Sequence, residues 1–429
     1  MSRAQSRNNA SHALRVRSAD RLWSAWRHVR SKGVRSRSDE IKSEILSFDE
    51  NAHAKIRSVA RRLQRRTFEF GLSAGRPAKR PGKHPRPIVI ASAESRLVQR
   101  AILEVIQKDD DLRPLYESVS SFGMRGVPEA MRHIRFAMEL SSPRYYIRSD
   151  IVDFFSRLPR RPPIQAISSA VGDPEFAQLL ENATRVELVN AEALGPLRSL
   201  YPDEVYGVAQ GGALSALLGD VRLREFDQAM NSADTHCLRY VDDFVILARS
   251  PRTAKGAFRK AQRILRDFNM DAYDPETSPN KANHGWLTTP WQFLGCELCP
   301  GIIRPSKAAK RDLIETVETR FRESLARMAD PRRARARKHS FAKAVDSVQQ
   351  VVKGWGDQYS FCNDRQGFDQ LDVTIGNLFE RYQSQFGERS VRLSAPDRRR
   401  ALGLAPLRDC DSDPIFGSST SVRSQASGT

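Results

Sequence analysis

The sequence is poor in cysteine and contains no long apolar run. Five cysteines in 429 residues are an odd number and widely spread, which argues against a disulfide framework and favours the reducing cytoplasm. No apolar stretch approaches the roughly 20 residues that a membrane-spanning helix needs. Residues 1–21 also lack the apolar segment of a secretory signal. We therefore expect a cytoplasmic protein with a mature basic N-terminal arm and no membrane partner.

Zinc-binding patterns are also lacking. Cys296 and Cys299 form one C-x-x-C, without a second pair or a nearby His pair. A structural zinc ion needs four ligands, so we interpret these cysteines as two small apolar residues near a strand end. Hydrophobic residues make up 40% of the chain, which is enough for a sizeable core in two or three subdomains.

Acidic residues are scarce relative to basic ones, and the charge is unevenly distributed. The chain has 70 Lys and Arg against 51 Asp and Glu, a formal net charge of +19. Residues 1–100 carry +16 and residues 301–345 carry +8, whereas residues 101–300 carry −4. Two basic segments around an acidic centre indicate a protein that holds a polyanion at its flanks and cations at its centre.

Hydrophobic periodicity divides the chain into helical and β-type segments. The segment 51–66 places apolar residues on one helical stripe and five arginines on the remainder, which predicts a helix with a buried side and a phosphate-seeking side. A Gly/Pro-rich loop or strand edge is predicted at 71–87. Further helices are predicted at 95–108, 207–228 (after a Gly-rich turn), 253–270 and beyond 305, and β-type segments at 144–155, 237–248 and 292–303.

Three carboxylates lie at the ends of two β-type runs. Asp150 ends the first run, and Asp242 with Asp243 occupies the tip of the predicted hairpin at 237–248. Phosphoryl transfer by two divalent ions needs oxygen ligands that hold the ions about 4 Å apart, and Mg²⁺ binds through few carboxylates plus substrate phosphates. Taken alone, the Asp-Asp pair is explained as readily by the backbone tolerance of Asp in a tight turn.

Seven sequence blocks, in order along the chain, resemble those of the reverse transcriptase family, with the spacing of its bacterial, group II intron-like members. The blocks are RPIVIASAESRLVQRAI (86–102), SFGMRG (121–126), SDIVDFFSRL (149–158), GVAQGGALSALL (207–218), YVDD (240–243), FLG (293–295) and GWGDQYSFCNDRQGFDQLD (354–372). The resemblance implies an α+β right-hand polymerase with fingers, an antiparallel-sheet palm and a helical thumb.

The implied domains follow the blocks. They are a basic N-terminal extension at 1–70, fingers with part of the palm at 71–149, the palm with its catalytic motifs at 150–304, a helical thumb at 305–405 and a disordered tail at 406–429. The charge of the N-terminal extension alone suggests that this segment contacts a structured RNA.

The resemblance also implies roles for single residues. Asp150, Asp242 and Asp243 are the implied catalytic acids and, with the carbonyl of Ile151, the ligands of two Mg²⁺ ions, with Mn²⁺ as an alternative. The implied nucleotide-binding residues are Lys83, Arg86, Phe155 (a steric gate against the ribose 2′-OH), Gln210, Gly211 and Lys281. The implied primer grip is Phe293, Leu294 and Gly295. For Lys83 and Arg86 plain solvated charge is the alternative, and for Phe155 an ordinary core position.

Several positions depart from the intron-type pattern. Ala216 stands where proline is usual, Asp220 where Asn is usual, and Ala91 where another proline is usual. We interpret Asp153, three residues after Asp150, as structural. No His-Asn-His nuclease signature and no retron-type Val-Thr-Gly motif occurs in the sequence, which favours a defence-associated bacterial reverse transcriptase over an intron-encoded one.

The resemblance therefore implies an RNA-directed DNA polymerase that adds dNTPs to a primer 3′ hydroxyl. We expect a structured non-coding RNA as template, DNA as product and a role in bacterial antiphage defence. A protein partner or a second copy of the chain is compatible with this expectation. Three alternatives remain open: untemplated or protein-primed DNA synthesis, an intron-type maturase that acts mainly as an RNA-binding protein, and a scaffold with an idle site.

Overall fold

The computed structural model describes residues 11–36, 38–80, 83–118, 120–328 and 339–404. The chain divides into two compact units, Met1–Leu294 and Gly295–Thr429. The tail predicted at 406–429 and nearly all of the basic run at 332–339 lie outside the described residues. Within the described ranges, none of the helices combines the length and the apolar character needed to cross a bilayer.

The first unit combines helices with short antiparallel sheets. Its described helices are α1 (His12–Arg17), α2 (Ala19–Gly33), α3 (Asp39–Glu50), α4 (Ala52–Gln64), α5 (Ala93–Gln107), α6 (Arg113–Tyr116), α7 (Val127–Ser141), α8 (Phe154–Arg157), α9 (Arg161–Val171), α10 (Pro174–Thr184), α11 (Ser215–Ala229) and α12 (Pro251–Asp267), with a 3₁₀ segment at Glu192–Leu200. Its strands are β1 (Ala74–Arg80), β2 (Lys83–Ile90), β3 (Tyr145–Asp150), β4 (Thr235–Tyr240), β5 (Asp243–Ala248), β6 (Asn283–Trp286) and β7 (Trp291–Phe293).

The N-terminal helices share the hydrophobic core of the first unit. In α2, Leu22, Trp26 and Val29 follow the i, i+4, i+7 spacing of one helical face, and all three are buried. The side chain of Ser18 caps this helix by accepting a hydrogen bond from the amide of Arg21. Helix α2 packs on α5. The N-terminal segment, which was predicted from its charge to be an extension, therefore also contributes to the core.

A four-stranded antiparallel sheet, in the order β4-β5-β3-β6, forms the centre of the first unit. Alternate residues of a strand point to opposite faces. Ile147 of β3 and both Phe244 and Ile246 of β5 belong to the main hydrophobic core, and α12 packs on β3, β4 and β5. The helices therefore cover one face of the sheet, and Asp150 and Asp243 belong to the alternate set of positions on the other face.

A fully buried arginine links the sheet to α11. Arg239 of β4 donates two hydrogen bonds to Asp227 (2.7 and 2.6 Å) and one to Asp220 (2.9 Å). Burial by itself lowers the pKa of Arg239, but Asp227 and Asp220 outweigh it and raise that pKa above its ordinary value. Burial raises the pKa of Asp220 against the opposing effect of Arg239. The guanidinium therefore stays charged and is compensated by two carboxylates from one helix.

The second unit is a β-hairpin followed by helices. Its described elements are β8 (Cys296–Cys299), β9 (Ile302–Pro305), α13 (Lys307–Arg327), α14 (Phe341–Gln358), α15 (Arg365–Ser390) and α16 (Ala395–Leu402). Strands β8 and β9 pair antiparallel, so the hairpin predicted at 292–303 is observed at 296–305. Val317, Phe321 and Tyr382 lie in a separate core of these helices. Cys296 and Cys299 are the first and last residues of β8, as expected for strand residues.

Replacing Arg239 should be strongly destabilising. An Arg239→Met variant leaves Asp220 and Asp227 buried without a counterion, and we expect a loss of about 3–5 kcal/mol in the free energy of unfolding. Urea unfolding measures it. The control is Arg30→Met, which removes a pair to Asp49 (2.6 Å) from an arginine that is 49% exposed and should cost at most about 1 kcal/mol. Equal losses in both variants would contradict the predicted role of the buried network.

Candidate active site

The tip of the β4–β5 hairpin is a two-residue loop held in a strained conformation. Tyr240 pairs with Asp243, so Val241 and Asp242 form the loop. Val241 has φ +58°, which is unusual for a β-branched residue. The Arg239 guanidinium donates to the carbonyl of Val241 (2.8 Å), and the amide of Ile151 donates to the carbonyl of Asp242 (3.0 Å). These two bonds fix the backbone on both sides of the loop.

The SFGMRG block lies directly against this loop. A Cβ added at Gly123 would be 3.1 Å from Val241 Cγ2 and 3.4 Å from the Val241 amide nitrogen, so glycine allows the close approach. The amide of Phe122 donates to the carbonyl of Arg239 (2.9 Å), and the hydroxyl of Ser121 donates to Asp220 (2.8 Å). The block thus supports both the hairpin and the buried network below it.

Sheet register brings the three predicted acids to one edge. Asp150 is the partner of Asp243 in the antiparallel β3–β5 pair, and side chains of directly opposed residues are neighbours on one face of a sheet. Asp242 precedes Asp243 in the hairpin loop. The backbone of Ile151 participates through its amide, which bonds to Asp242, and its side chain is buried.

Burial raises the pKa of two of the three carboxylates, and the neighbouring acids add to this effect. Burial raises the pKa of Asp242 to about 7, and the neighbouring carboxylates of Asp150 and Asp243 add to this shift. Burial also raises the pKa of Asp243, although Arg148 donates a hydrogen bond to it at 2.9 Å. Repulsion of this kind favours a proton or a cation at the site.

Two basic side chains partly neutralise the acids. The ammonium of Lys281 donates to Asp150 Oδ2, while Asp150 Oδ1 is buried without a hydrogen-bond partner. Burial by itself lowers the pKa of Lys281, but its bond to Asp150 outweighs burial and raises that pKa. Lys281 therefore partly neutralises Asp150, and Arg148 partly neutralises Asp243.

The donor set has the chemistry that suits a hard divalent cation. Among the described residues, no three His, Cys, Asp or Glu side chains converge closely enough to hold an ion as they stand. Lys281 pairs with Asp150, and Arg148 pairs with Asp243. Asp150 Oδ1 has no hydrogen-bond partner and the pKa of Asp242 is raised, so the acids are only partly compensated. Carboxylate oxygens are the ligands that Mg²⁺ prefers.

Four of the six predicted nucleotide-binding residues lie in two neighbouring segments, β2 and the turn before α11. The amide of Val89 in β2 donates to the carbonyl of Gln210 (3.1 Å), and Gly211 adopts φ +100°, a conformation that favours glycine. Gly211 lines a cavity of about 160 Å³ between β2, α5 and the turn before α11. Arg86 is an exposed residue of β2, whereas the side chain of Lys83 lies outside the described part of the chain.

Two adjacent phenylalanines after Asp150 have different environments. Phe154 is buried against α11, where a Cβ added at Gly219 would be 2.6 Å from Phe154 Cζ. Phe155 is only partly buried, and its carbonyl accepts a hydrogen bond from Val208 (2.8 Å), two residues before Gln210. Asp153 is exposed with φ +47°, and its carbonyl starts the short helix α8, which agrees with a structural role.

The predicted primer-grip residues lie at the division between the two units. Phe293 is buried at the end of β7, Leu294 is the last residue of the first unit, and Gly295 is the first of the second. Leu294 and Gly295 both have positive φ, +48° and +77°. The chain thus turns sharply at this point.

Sequence reasoning missed several residues that build the site. Arg148, Gly123 and Arg239 were not singled out, although each contacts the acid-bearing hairpin. Arg148 could have been found, since it lies two residues before Asp150 on the same face of β3. Arg239 is a charge inside an apolar run, a pattern that indicates a buried ion pair once the segment is recognised as a strand.

Comparisons with known proteins show a family match over the central part of the chain. The family described as reverse transcriptase (RNA-dependent DNA polymerase) matches residues 78–298, just over half of the chain. Protein YkfC of Escherichia coli (strain K12) is 24% identical over 281 residues, which cover 54% of this chain and 67% of YkfC. The matched region confirms the α+β class predicted from the sequence.

Solved structures are more distant. A partial Cas6-RT-Cas1–Cas2 complex is 19% identical with a TM-score of 0.36, and covers 63% of this chain and 43% of that chain. Apo telomerase from Candida tropicalis is 12% identical with a TM-score of 0.41, and covers 78% of this chain and 64% of that chain. The chain thus spans less than two thirds of either solved chain.

The family match includes β3, the β4–β5 hairpin and the turn before α11, which are the elements that carry the three carboxylates and the predicted nucleotide site. The resemblance seen in the sequence motifs is therefore confirmed, and the chain belongs to the reverse transcriptase (RNA-dependent DNA polymerase) family.

Proposed function

We propose that this chain synthesises DNA on an RNA template, with Asp150, Asp242 and Asp243 holding two Mg²⁺ ions. The observation that carries the proposal is the pairing of Asp150 with Asp243 beside Asp242, whose pKa is raised to about 7. Three carboxylates that are only partly compensated at one sheet edge are poorly suited to a structural role, because their burial and mutual repulsion destabilise the fold. Such an arrangement is suited to binding divalent cations.

Different residues of the chain have different roles in the proposed reaction. Two Mg²⁺ ions, when bound, supply activation of the primer 3′ hydroxyl and stabilisation of the leaving pyrophosphate. Lys281 exchanges Asp150 for the substrate phosphates and holds a proton near the leaving group. Phe155 excludes a ribose 2′-OH, and Gly211 lets the incoming nucleotide approach the backbone closely. Arg148 keeps Asp243 oriented through their hydrogen bond.

The template and the biological role are further parts of the proposal. A dedicated non-coding RNA is supported by the basic charge of residues 1–100 and 301–345, since RNA affinity comes largely from phosphate contacts. Antiphage defence in the bacterial cytoplasm is suggested by the motif pattern. A protein partner or a second copy of the chain is compatible with both.

The first experiment compares nucleic acid that copurifies with the protein and with an Asp242→Asn/Asp243→Asn variant, each expressed with its native flanking DNA. We expect one RNA to dominate both samples, and DNA complementary to it to fall by at least about a thousandfold in the variant, because the metal ligands are lost. Sequencing of both nucleic acids measures this. DNA without a matching RNA would favour untemplated or protein-primed synthesis, and bound RNA without any DNA would favour a maturase or scaffold.

The neighbouring phenylalanines provide a matched test of sugar selection. We expect Phe155→Ala to reduce the preference for dNTPs over NTPs by about 10- to 100-fold, because the partly buried ring no longer excludes the 2′-OH. Single-nucleotide incorporation kinetics measure this ratio. Phe154→Leu, which alters the ring packed against Gly219, should lower stability by about 1 kcal/mol and leave the ratio unchanged. An unchanged ratio in Phe155→Ala would assign Phe155 to the core.

The raised pKa of Asp242 predicts a pH-dependent stability in the absence of metal. Between the ordinary carboxyl value and about 7, the folded state holds a proton that the unfolded state has released, so stability falls as pH rises through this range. In EDTA at pH 8, Asp242→Asn should therefore be more stable than the parent by on the order of 2 kcal/mol, with the advantage shrinking toward pH 5.

Urea unfolding in EDTA at both pH values tests this prediction. The control is Asp267→Asn, which alters an exposed acid and should change stability little at either pH. An Asp242→Asn variant that is less stable than the parent at pH 8 would show that the carboxylates do not repel one another as described.

A further inference from the structure

Helix α12 presents a strongly cationic outer surface. Residues 251–266 contain six Lys and Arg and no Asp or Glu, although residues 101–300 as a whole carry −4. All six side chains are exposed. They are Arg252, Lys255, Arg259, Lys260, Arg263 and Arg266. In the described part of the chain, Arg266 is the one member with an ion pair, at 3.9 Å from Asp271.

Five of these cations form a continuous stripe along the helix. Arg252, Lys255, Arg259, Arg263 and Arg266 follow one another at steps of three or four residues, the spacing of neighbours on one helical face. The stripe covers 14 residue steps, or about 21 Å at 1.5 Å per residue. We call these five residues the α12 stripe.

The α12 stripe is unfavourable for the helix that carries it. Like charges at i and i+4 destabilise a helix by about 0.2–0.5 kcal/mol per pair. The helix is held instead by its opposite face, where Phe258 and Leu265 are buried, and by Ser250, which caps it by accepting from the amide of Thr253 (3.1 Å). Because the helix forms without needing the stripe, the stripe is explained better by an external polyanion than by the fold.

The α12 stripe and the acids lie on opposite sides of the sheet. Helix α12 packs on the face to which Ile147 and Ile246 contribute, whereas Asp150 and Asp243 occupy the alternate positions of the same two strands. A template-primer duplex whose end is at the acids is therefore separated from the stripe by the sheet and the helix. The stripe needs an occupant of its own.

We propose that the α12 stripe binds the phosphate backbone of a double-helical RNA segment outside the template-primer duplex. The identity of this polyanion rests on the proposed function, because an enzyme with a dedicated RNA template keeps that RNA bound throughout synthesis. No aromatic side chain accompanies the cations on the exposed face, since Phe258 and Phe268 are both buried. The surface therefore lacks the rings that stack on unpaired bases. It favours sequence-independent contact with the phosphate backbone.

The test neutralises the stripe in the full chain with Arg252→Gln, Lys255→Gln, Arg259→Gln and Arg263→Gln, since glutamine retains helix propensity. The probe is a fluorescent RNA hairpin of about 20 base pairs. We expect its affinity at about 0.1 M salt to fall by at least about tenfold, with the slope of log K against log salt reduced by about three. Primer extension on short poly(rA)–oligo(dT) should stay within about twofold of the parent.

A charge-retaining variant, with lysine at the three arginine positions, is the matched control and should bind the hairpin like the parent. Unchanged hairpin affinity in the glutamine variant overturns the proposal. A loss of primer extension as large as the loss of hairpin affinity also overturns the proposal, because it would assign the stripe to the template-primer cleft or to folding. Loss of binding to a DNA duplex of the same length with unchanged hairpin binding also overturns it. If the parent makes no DNA but the glutamine variant loses the hairpin, the proposed function fails and the α12 stripe remains an RNA site.

Discussion

The arrangement of the site depends on one buried charge. Arg239 bonds at the same time to two carboxylates of α11 and to the carbonyl of Val241, so one guanidinium joins the helix, the strand and the strained loop. Because the desolvation of an ion is costly, the buried guanidinium must keep its partners within hydrogen-bond distance. The position of the arginine therefore fixes the positions of its partners. The position of Asp242, one residue beyond Val241, is thereby fixed relative to the helical layer and not only relative to its own hairpin.

This constraint explains a departure from the family pattern. Asp220 stands where the related enzymes usually have Asn, and a second buried carboxylate beside Asp227 would be unfavourable without extra positive charge. Arg239 supplies that charge, and the hydroxyl of Ser121 donates to Asp220 as well. The SFGMRG block, the helix after the Gly-rich turn and the YVDD hairpin therefore form one electrostatic unit, although the first block lies 99 residues before Asp220 in the sequence.

The sequence predicted the acids, the antiparallel hairpin and the helices around them, because the period of apolar residues and the order of motifs are local signals. It did not predict how the N-terminal arginines are used. Arg62 pairs with Glu94 and Arg66 with Glu175, so part of the face interpreted as phosphate-seeking is already compensated within the fold. Such pairs join residues that are distant in sequence, and periodicity carries no information about them.

The extent of ion pairing also differs between the two sides of the central sheet. On the side of the acids, cations are held by carboxylates: Lys281 by Asp150 and Arg148 by Asp243. On the side of α12, four of the five stripe cations have no carboxylate within ion-pair distance among the described residues. The first arrangement favours exchange of an internal cation for a metal ion, and the second favours an external anion. A sheet with an acidic edge on one face and a basic helix on the other can therefore hold cations and RNA at once without competition between them.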